Sequence, residues 1–205
     1  MNSEKAVVEA FLFLRAGAPA DGSEREELEH ADARTALVWV PDAASAAAVA
    51  DRLAADGIKL IELYRGFDLA SASPVIDAVA GRAPVGVAGY GFAAKQSGSP
   101  RRTVTIYADP ASDPAGSQRL VRDHGDEDTT TVVSAPDAES AARVAAELVD
   151  GGAELIEICG GTSLTTAARV AAEVGDRVPV SLVSWPFDSI EGAAAYKAAF
   201  EESMA

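Results

Sequence analysis

Pro41-Asp42-Ala43 returns as Pro136-Asp137-Ala138, and from that anchor the two stretches run in step without a gap to Phe92 and Phe187. Roughly 22 of about 52 aligned positions are identical, far above chance for an ungapped run. Upstream the match continues in a second register. Gly22-Ser23, Arg25, His30 and Asp32 fall on Gly116-Ser117, Arg119, His124 and Asp126. The chain is a tandem duplication, with copies over residues 6–92 and 101–187, a linker at 93–100 containing Gln96-Ser97-Gly98-Ser99, and a C-terminal segment at 188–205.

Within the first copy the apolar runs are short and β-branched or aromatic: Val7 to Leu14, Thr35 to Val40, Lys59 to Leu63 and Pro84 to Ala88. These read as strands. Asp42 reads as an N-cap, with Ala46, Val49, Ala50 and Leu53 at helical spacing before Gly57, and Asp137, Val144, Leu148 and Gly152 repeat the pattern. A second helix is expected from Asp68 to Val79, with Pro74 in its early part, and again from Ser163 to Val174. Short helices are expected at Glu24 to His30 and Gln118 to His124, and a terminal helix at Gly192 to Ser203. Alternating strands and helices imply an α/β fold with parallel strands in two repeats related by a pseudo-twofold axis. Eight strands would close as a compact (βα)8-like barrel, the form slightly favoured, or stay as two packed open four-stranded sheets.

Composition narrows the function classes. The chain of 205 residues is 48% hydrophobic, enough to fill a core. No window approaches the roughly 20 apolar residues of a membrane span, and the N-terminal stretch lacks a signal-peptide pattern, so a soluble cytoplasmic protein without membrane partners is expected. A net charge of -15 and a pI near 4.4 disfavour nucleic acid, whose binding depends on Lys and Arg. One cysteine, Cys159, allows neither an internal disulfide nor a cysteine-based metal site. No motif demands a cofactor, and a monomer that is an internal pseudo-dimer, or a homodimer, is expected.

The motif Leu155-Ile156-Glu157-Ile158-Cys159-Gly160-Gly161, followed after a helix by Val178-Pro179-Val180, resembles a family of small bacterial proteins of unknown function. That family's shared stretch reads E-L-C-G-G-F-G, then a helix, then P-V-G-V-V-R-F. The first copy keeps it loosely as Glu62-Leu63-Tyr64-Arg65-Gly66-Phe67 and Pro84-Val85-Gly86-Val87. Where the family has its arginine, Gly89 and Ser184 stand here. The resemblance implies a tandem pair of that domain and supplies no reaction.

Glu62 and Glu157 sit inside apolar strands, where an unpaired carboxylate would cost several kcal/mol. Each is expected to be a general acid or base with a raised pKa, or a structural carboxylate bound by loop N–H groups or by an arginine such as Arg82 or Arg177. Cys159, ahead of a helix, is a candidate nucleophile or the wall of a pocket. Gly160-Gly161-Thr162-Ser163 reads as an anion-binding turn or as an ordinary glycine turn with a cap. In the first copy Asp68 takes the place of Ser163 and opposes an anion, while Arg65 is placed to hold an anionic group. Trp39, Tyr64, Phe67, Tyr90, Trp185 and Phe187 fall near strand ends, the ligand face of parallel α/β folds. Of these, Trp39, Tyr64, Tyr90 and Trp185 are taken as ligand-binding aromatics. His30 and His124, each two residues before an aspartate, are bases, metal ligands or surface partners of a helix C-terminus. The favoured reading is a cofactor-independent small-molecule enzyme of isomerase, cyclase or lyase type. A non-catalytic metabolite-binding or regulatory protein and a purely structural pseudo-dimer are the alternatives.

Overall fold

A computed structural model describes residues 6–29, 33–88 and 100–203. The chain divides into two compact units, Met1–Tyr90 with Trp185–Ala205, and Gly91–Ser184. The first contains β1 (Val7–Leu14), β2 (Arg25–Glu29), β3 (Arg34–Val40), α1 (Ala43–Ala55), β4 (Leu60–Tyr64), α2 (Leu69–Val79) and β5 (Val85–Val87). Its sheet runs β2-β3-β1-β4-β5, parallel except for the antiparallel pairing of β2 with β3. The second unit repeats the plan as β6 (Arg102–Ala108), β7 (Arg119–Asp123), β8 (Thr129–Ala135), α3 (Ala138–Asp150), β9 (Leu155–Ile158), α4 (Leu164–Val174) and β10 (Val180–Leu182). Its sheet order, β10-β9-β6-β8-β7, is the same topology.

The helices start where the capping chemistry says they should. Asp42 and Asp137 accept the backbone N–H of Ser45 and Ser140, each at 2.8 Å, and Asp68 forms a reciprocal capping box with Ser71. Ser163 caps α4 by accepting from the Thr166 N–H at 3.1 Å. In each unit both helices lie on one sheet face. Ala46, Val49 and Ala50 of α1 and Val75 and Val79 of α2 share a core with Leu12, Val38 and Leu63. Val144 of α3 and Val170 of α4 do the same with Ile106, Val133 and Ile158.

Two expectations are corrected. The segments read as short helices at Glu24 to His30 and Gln118 to His124 are the edge strands β2 and β7. Arg25-Glu26-Glu27-Leu28-Glu29 is rich in helix formers, but its exposure alternates with period two along the edge of the sheet. Charged side chains there also discourage pairing with another chain. The closed barrel is likewise not formed: two open five-stranded sheets, each with an antiparallel edge, replace the eight parallel strands a barrel of that kind needs.

The terminal helix α5 (Ile190–Ser203) belongs to the first unit. The Val85 N–H donates to Ser189 Oγ at 2.9 Å, Gly192 packs against Pro84, and the Tyr196 hydroxyl donates to Glu9. The linker other than Pro100, together with His30, Asp32, Gly89 and Tyr90, lies outside the described residues. Among the described residues no helix is long and apolar enough to cross a membrane.

The shared Gly-Ser-x-Arg spacing has a structural cause. Gly116 has φ +61°, and a Cβ there would fall 2.7 Å from Val144 Cγ2 and 3.3 Å from Val133 Cγ2. Gly22 presses in the same way on Val49 and Val38. Gly116→Ala is therefore expected to lose more stability in urea denaturation than the about 1–2 kcal/mol of left-handed strain alone. Gly125→Ala, at φ +84° with nothing within 4 Å of its new methyl, carries only that strain. Equal losses would show that the turn is not pressed against its helix.

Candidate functional site

Alternation along each strand gives each sheet a second face, turned away from its helices. Glu62 and Glu157 both lie on it, at 0% and 1% exposure, in the middle of the parallel strands β4 and β9. Their neighbours in register differ. Glu62 is flanked by Phe11 on β1 and Gly86 on β5, whereas Glu157 is flanked by Thr105 on β6 and Ser181 on β10.

In the first unit this face is aromatic and satisfied. Phe13 stacks on Trp39 and on Tyr64, with ring centroids 5.3 and 5.4 Å apart, and Phe11 tilts against Tyr64 at 5.1 Å. The Tyr64 hydroxyl donates to Glu62 Oε2. One row back, Glu9 accepts from the Thr35 hydroxyl at 2.8 Å and from the Tyr196 hydroxyl. A buried carboxylate is thus served by phenols and hydroxyls inside hydrocarbon packing.

The second unit places two aliphatic hydroxyls, a phenol and a thiol where the first has four rings. Thr105 takes the position of Phe11 and Tyr107 that of Phe13, while Ser134 and Cys159 replace Trp39 and Tyr64. Thr103, Thr105 and Ser181 are buried, and none of their hydroxyls has a hydrogen-bond partner among the described residues. Toward the C-terminal ends of the strands, Tyr107 and Cys159 are half-buried. Burial raises the Tyr107 phenol above its ordinary value, Asp109 and Cys159 add to the rise, and a hydrogen bond with Ser134 works against it. At neutral pH the phenol therefore keeps its proton as a donor.

Other residues singled out in the sequence fall elsewhere. Arg82 pairs with Asp51, and Arg177 with Asp150 at 2.6 Å, so neither is the counter-ion of a strand glutamate. Arg65 is buried with φ +64° in the β4–α2 turn of the first unit. Phe67 fills the helix-side core there, and its counterpart Thr162 is buried with its hydroxyl unpartnered among the described residues. Gly161 is exposed, and a Cβ on it would meet nothing within 4 Å. Gly160 beside it is half-buried, as is Trp185, whereas Phe187 is 88% exposed. His124 follows a strand, β7, not a helix; its Nε2 lies 3.1 Å from Thr130 Oγ1 and its backbone N–H donates to the Asp128 carbonyl. Among the described residues no three His, Cys, Asp or Glu side chains gather in a metal-holding group.

Residues 8–99 and 101–198 each match a family of unknown function, DUF6506. The chain belongs to that family. It carries the domain twice, in agreement with the internal repeat. Among curated proteins none matches the chain. The chain is also similar to a solved structure of unliganded arylmalonate decarboxylase, at 16% identity over 87% of each chain, with a TM-score of 0.28 that is too low to bear on function.

Thr103, Thr105, Ser181 and Tyr107 were not singled out by sequence reading, because alternating Thr in a strand looks like ordinary β-propensity. The one available signal was the replacement of Phe11 and Phe13 by Thr105 and Tyr107 between copies. An unpartnered buried hydroxyl costs about 1–3 kcal/mol. Thr105→Val and Ser181→Ala are thus expected to leave the melting temperature unchanged or to raise it. Tyr64→Phe, which strips a donor from buried Glu62, is expected to cost about 1–3 kcal/mol. Thermal unfolding of the three variants checks both directions, and a destabilised Thr105→Val would assign its hydroxyl a structural partner.

Proposed function

We propose that the chain is a cofactor-independent small-molecule enzyme of isomerase, cyclase or lyase type, with Glu157 as the group that moves the proton. One observation carries the reading: buried Glu157 is flanked in register by two buried hydroxyls, Thr105 and Ser181, with no partner among the described residues. Buried polar groups are ordinarily satisfied, and departures from that rule concentrate at functional sites. The first copy supports the contrast, since there the same two positions are Phe11, tilted against Tyr64, and Gly86, which brings no side chain.

In this reading a small polar molecule lies against the β6, β9 and β10 rows of the second unit. Thr105 and Ser181 hold its polar substituents on either side of Glu157, which removes a proton from carbon or oxygen and returns it to a neighbouring atom. Tyr107, protonated at neutral pH, donates a hydrogen bond to oxygen where negative charge develops. Cys159 is part of the wall rather than the nucleophile. In the first unit Glu62 is a structural carboxylate, held by Tyr64.

The test is proton exchange. A panel of small aldehydes, ketones and keto acids is incubated with the full chain in D2O, and deuterium incorporation beside the carbonyl is read by NMR. At least one compound is expected to exchange, with Glu157→Gln slower by about 100-fold or more, the range of a lost general base. Glu62→Gln is expected to change the rate by less than about tenfold. Equal losses from the two substitutions would refute the inequality of the copies. Saturable binding without exchange would instead favour a non-catalytic metabolite-binding protein.

A further inference from the structure

We propose that α5 is a strap on the first unit, released at low ionic strength and closed as salt rises. Three contacts attach it. Just ahead of the helix, Ser189 Oγ accepts the Val85 N–H of edge strand β5 at 2.9 Å. Further along, the Tyr196 hydroxyl donates to Glu9, which also accepts from Thr35. Between these two, Gly192 lies so close to Pro84 that a Cβ on it would fall 3.2 Å from Pro84 Cβ and Cδ. Apolar burial adds little. The helix α1 buries Ala46, Val49, Ala50 and Ala54, whereas none of residues 190–202 is buried, and Ile190 and Phe200 are 50% and 52% exposed. A helix of 14 residues is marginal in water by itself, so release also unwinds it. Such a step is a local opening that leaves the helix-side core of the unit in place.

Charge works against docking. Residues 1–90 hold 14 Asp and Glu against 8 Lys and Arg, a formal charge of -6, and residues 185–205 hold 4 against 1, a formal charge of -3. Among the described residues no ion pair joins α5 to the rest of its unit. Its one pair, Lys197 with Glu201, lies within the helix. Strap and body therefore repel each other as like charges, with no ion pair between them to offset it. That repulsion reaches about 30 Å at 0.01 M salt, the diameter of a small domain, and only about 3 Å at 1 M. The two hydrogen bonds and the Gly192 contact act at short range and are screened far less. Added salt removes the repulsion and keeps the attachment.

Release changes two things in the first unit. Glu9 loses the Tyr196 hydroxyl, and the Val85 N–H on the edge strand β5 loses Ser189. Glu9 stands two residues before Phe11 on β1, on the same sheet face as the aromatic row. The strap thus governs how far water reaches into that end of the row, and ionic strength sets its position.

The experiment is hydrogen–deuterium exchange on the full chain, read by mass spectrometry of α5 and α1 peptides from about 0.01 to about 1 M KCl. At the lowest salt α5 is expected to exchange ahead of α1, and at the highest to slow by about tenfold or more while α1 changes less. Glu191→Gln combined with Glu202→Gln removes two charges from opposite ends of the helix, so that the effects on its dipole offset. The pair is expected to slow α5 exchange at low salt and flatten its salt response. Gly192→Leu raises helix propensity but collides with Pro84, and is expected to leave α5 open at every salt with β1 and β3 still protected. Three results overturn the strap: α5 and α1 exchanging together at every salt, α5 exchange indifferent to salt or to the two glutamine substitutions, or α5 as protected in Gly192→Leu as in the unaltered chain.

Discussion

A glutamate in the middle of a buried parallel strand must be solvated by whatever shares its sheet face. In both units the helix side is hydrocarbon, so the burden falls on the opposite face, and on the two residues that the strand register sets beside the carboxylate. Everything that distinguishes the two copies follows from how that burden is met. Leaving it unmet would cost several kcal/mol, a large share of the stability of a small unit.

The first unit meets it from within. Tyr64 reaches Glu62, Thr35 and Tyr196 reach Glu9, and stacked rings exclude everything else. Part of this depends on α5, which follows the second copy in sequence yet packs on the first unit. The second unit keeps the carboxylate and replaces Phe11, Trp39 and Tyr64 by Thr105, Ser134 and Cys159, leaving the hydroxyls of Thr105 and Ser181 beside Glu157 without a described partner. One copy packs this face with aromatic rings, and the other carries buried hydroxyls there.

Much of the fold was legible because it is written in local chemistry. Strand limits followed from short β-branched runs, helix starts from Asp42, Asp68, Asp137 and Ser163, and the architecture of one copy predicted that of the other. The edge strands β2 and β7 were not legible, since charged helix formers outweigh a weak alternation until the neighbouring strand is known. The glutamates stood out as charges within apolar runs. Their surroundings did not, because Thr105 and Ser181 meet Glu157 only through sheet register across strands distant in sequence. Trp39 and Tyr64 looked like ligand walls at strand ends, but they stack with Phe13 inside the first unit.

The account stands most directly on the contents of the two sheet faces, which a high-resolution crystal structure would read. It predicts ordered solvent or ligand density within hydrogen-bond distance of Thr103 Oγ1, Thr105 Oγ1 and Ser181 Oγ beside Glu157, and no such density around Phe11, Phe13 and Tyr64 beside Glu62. Hydroxyls packed dry against hydrocarbon, or density alike on both faces, would contradict it.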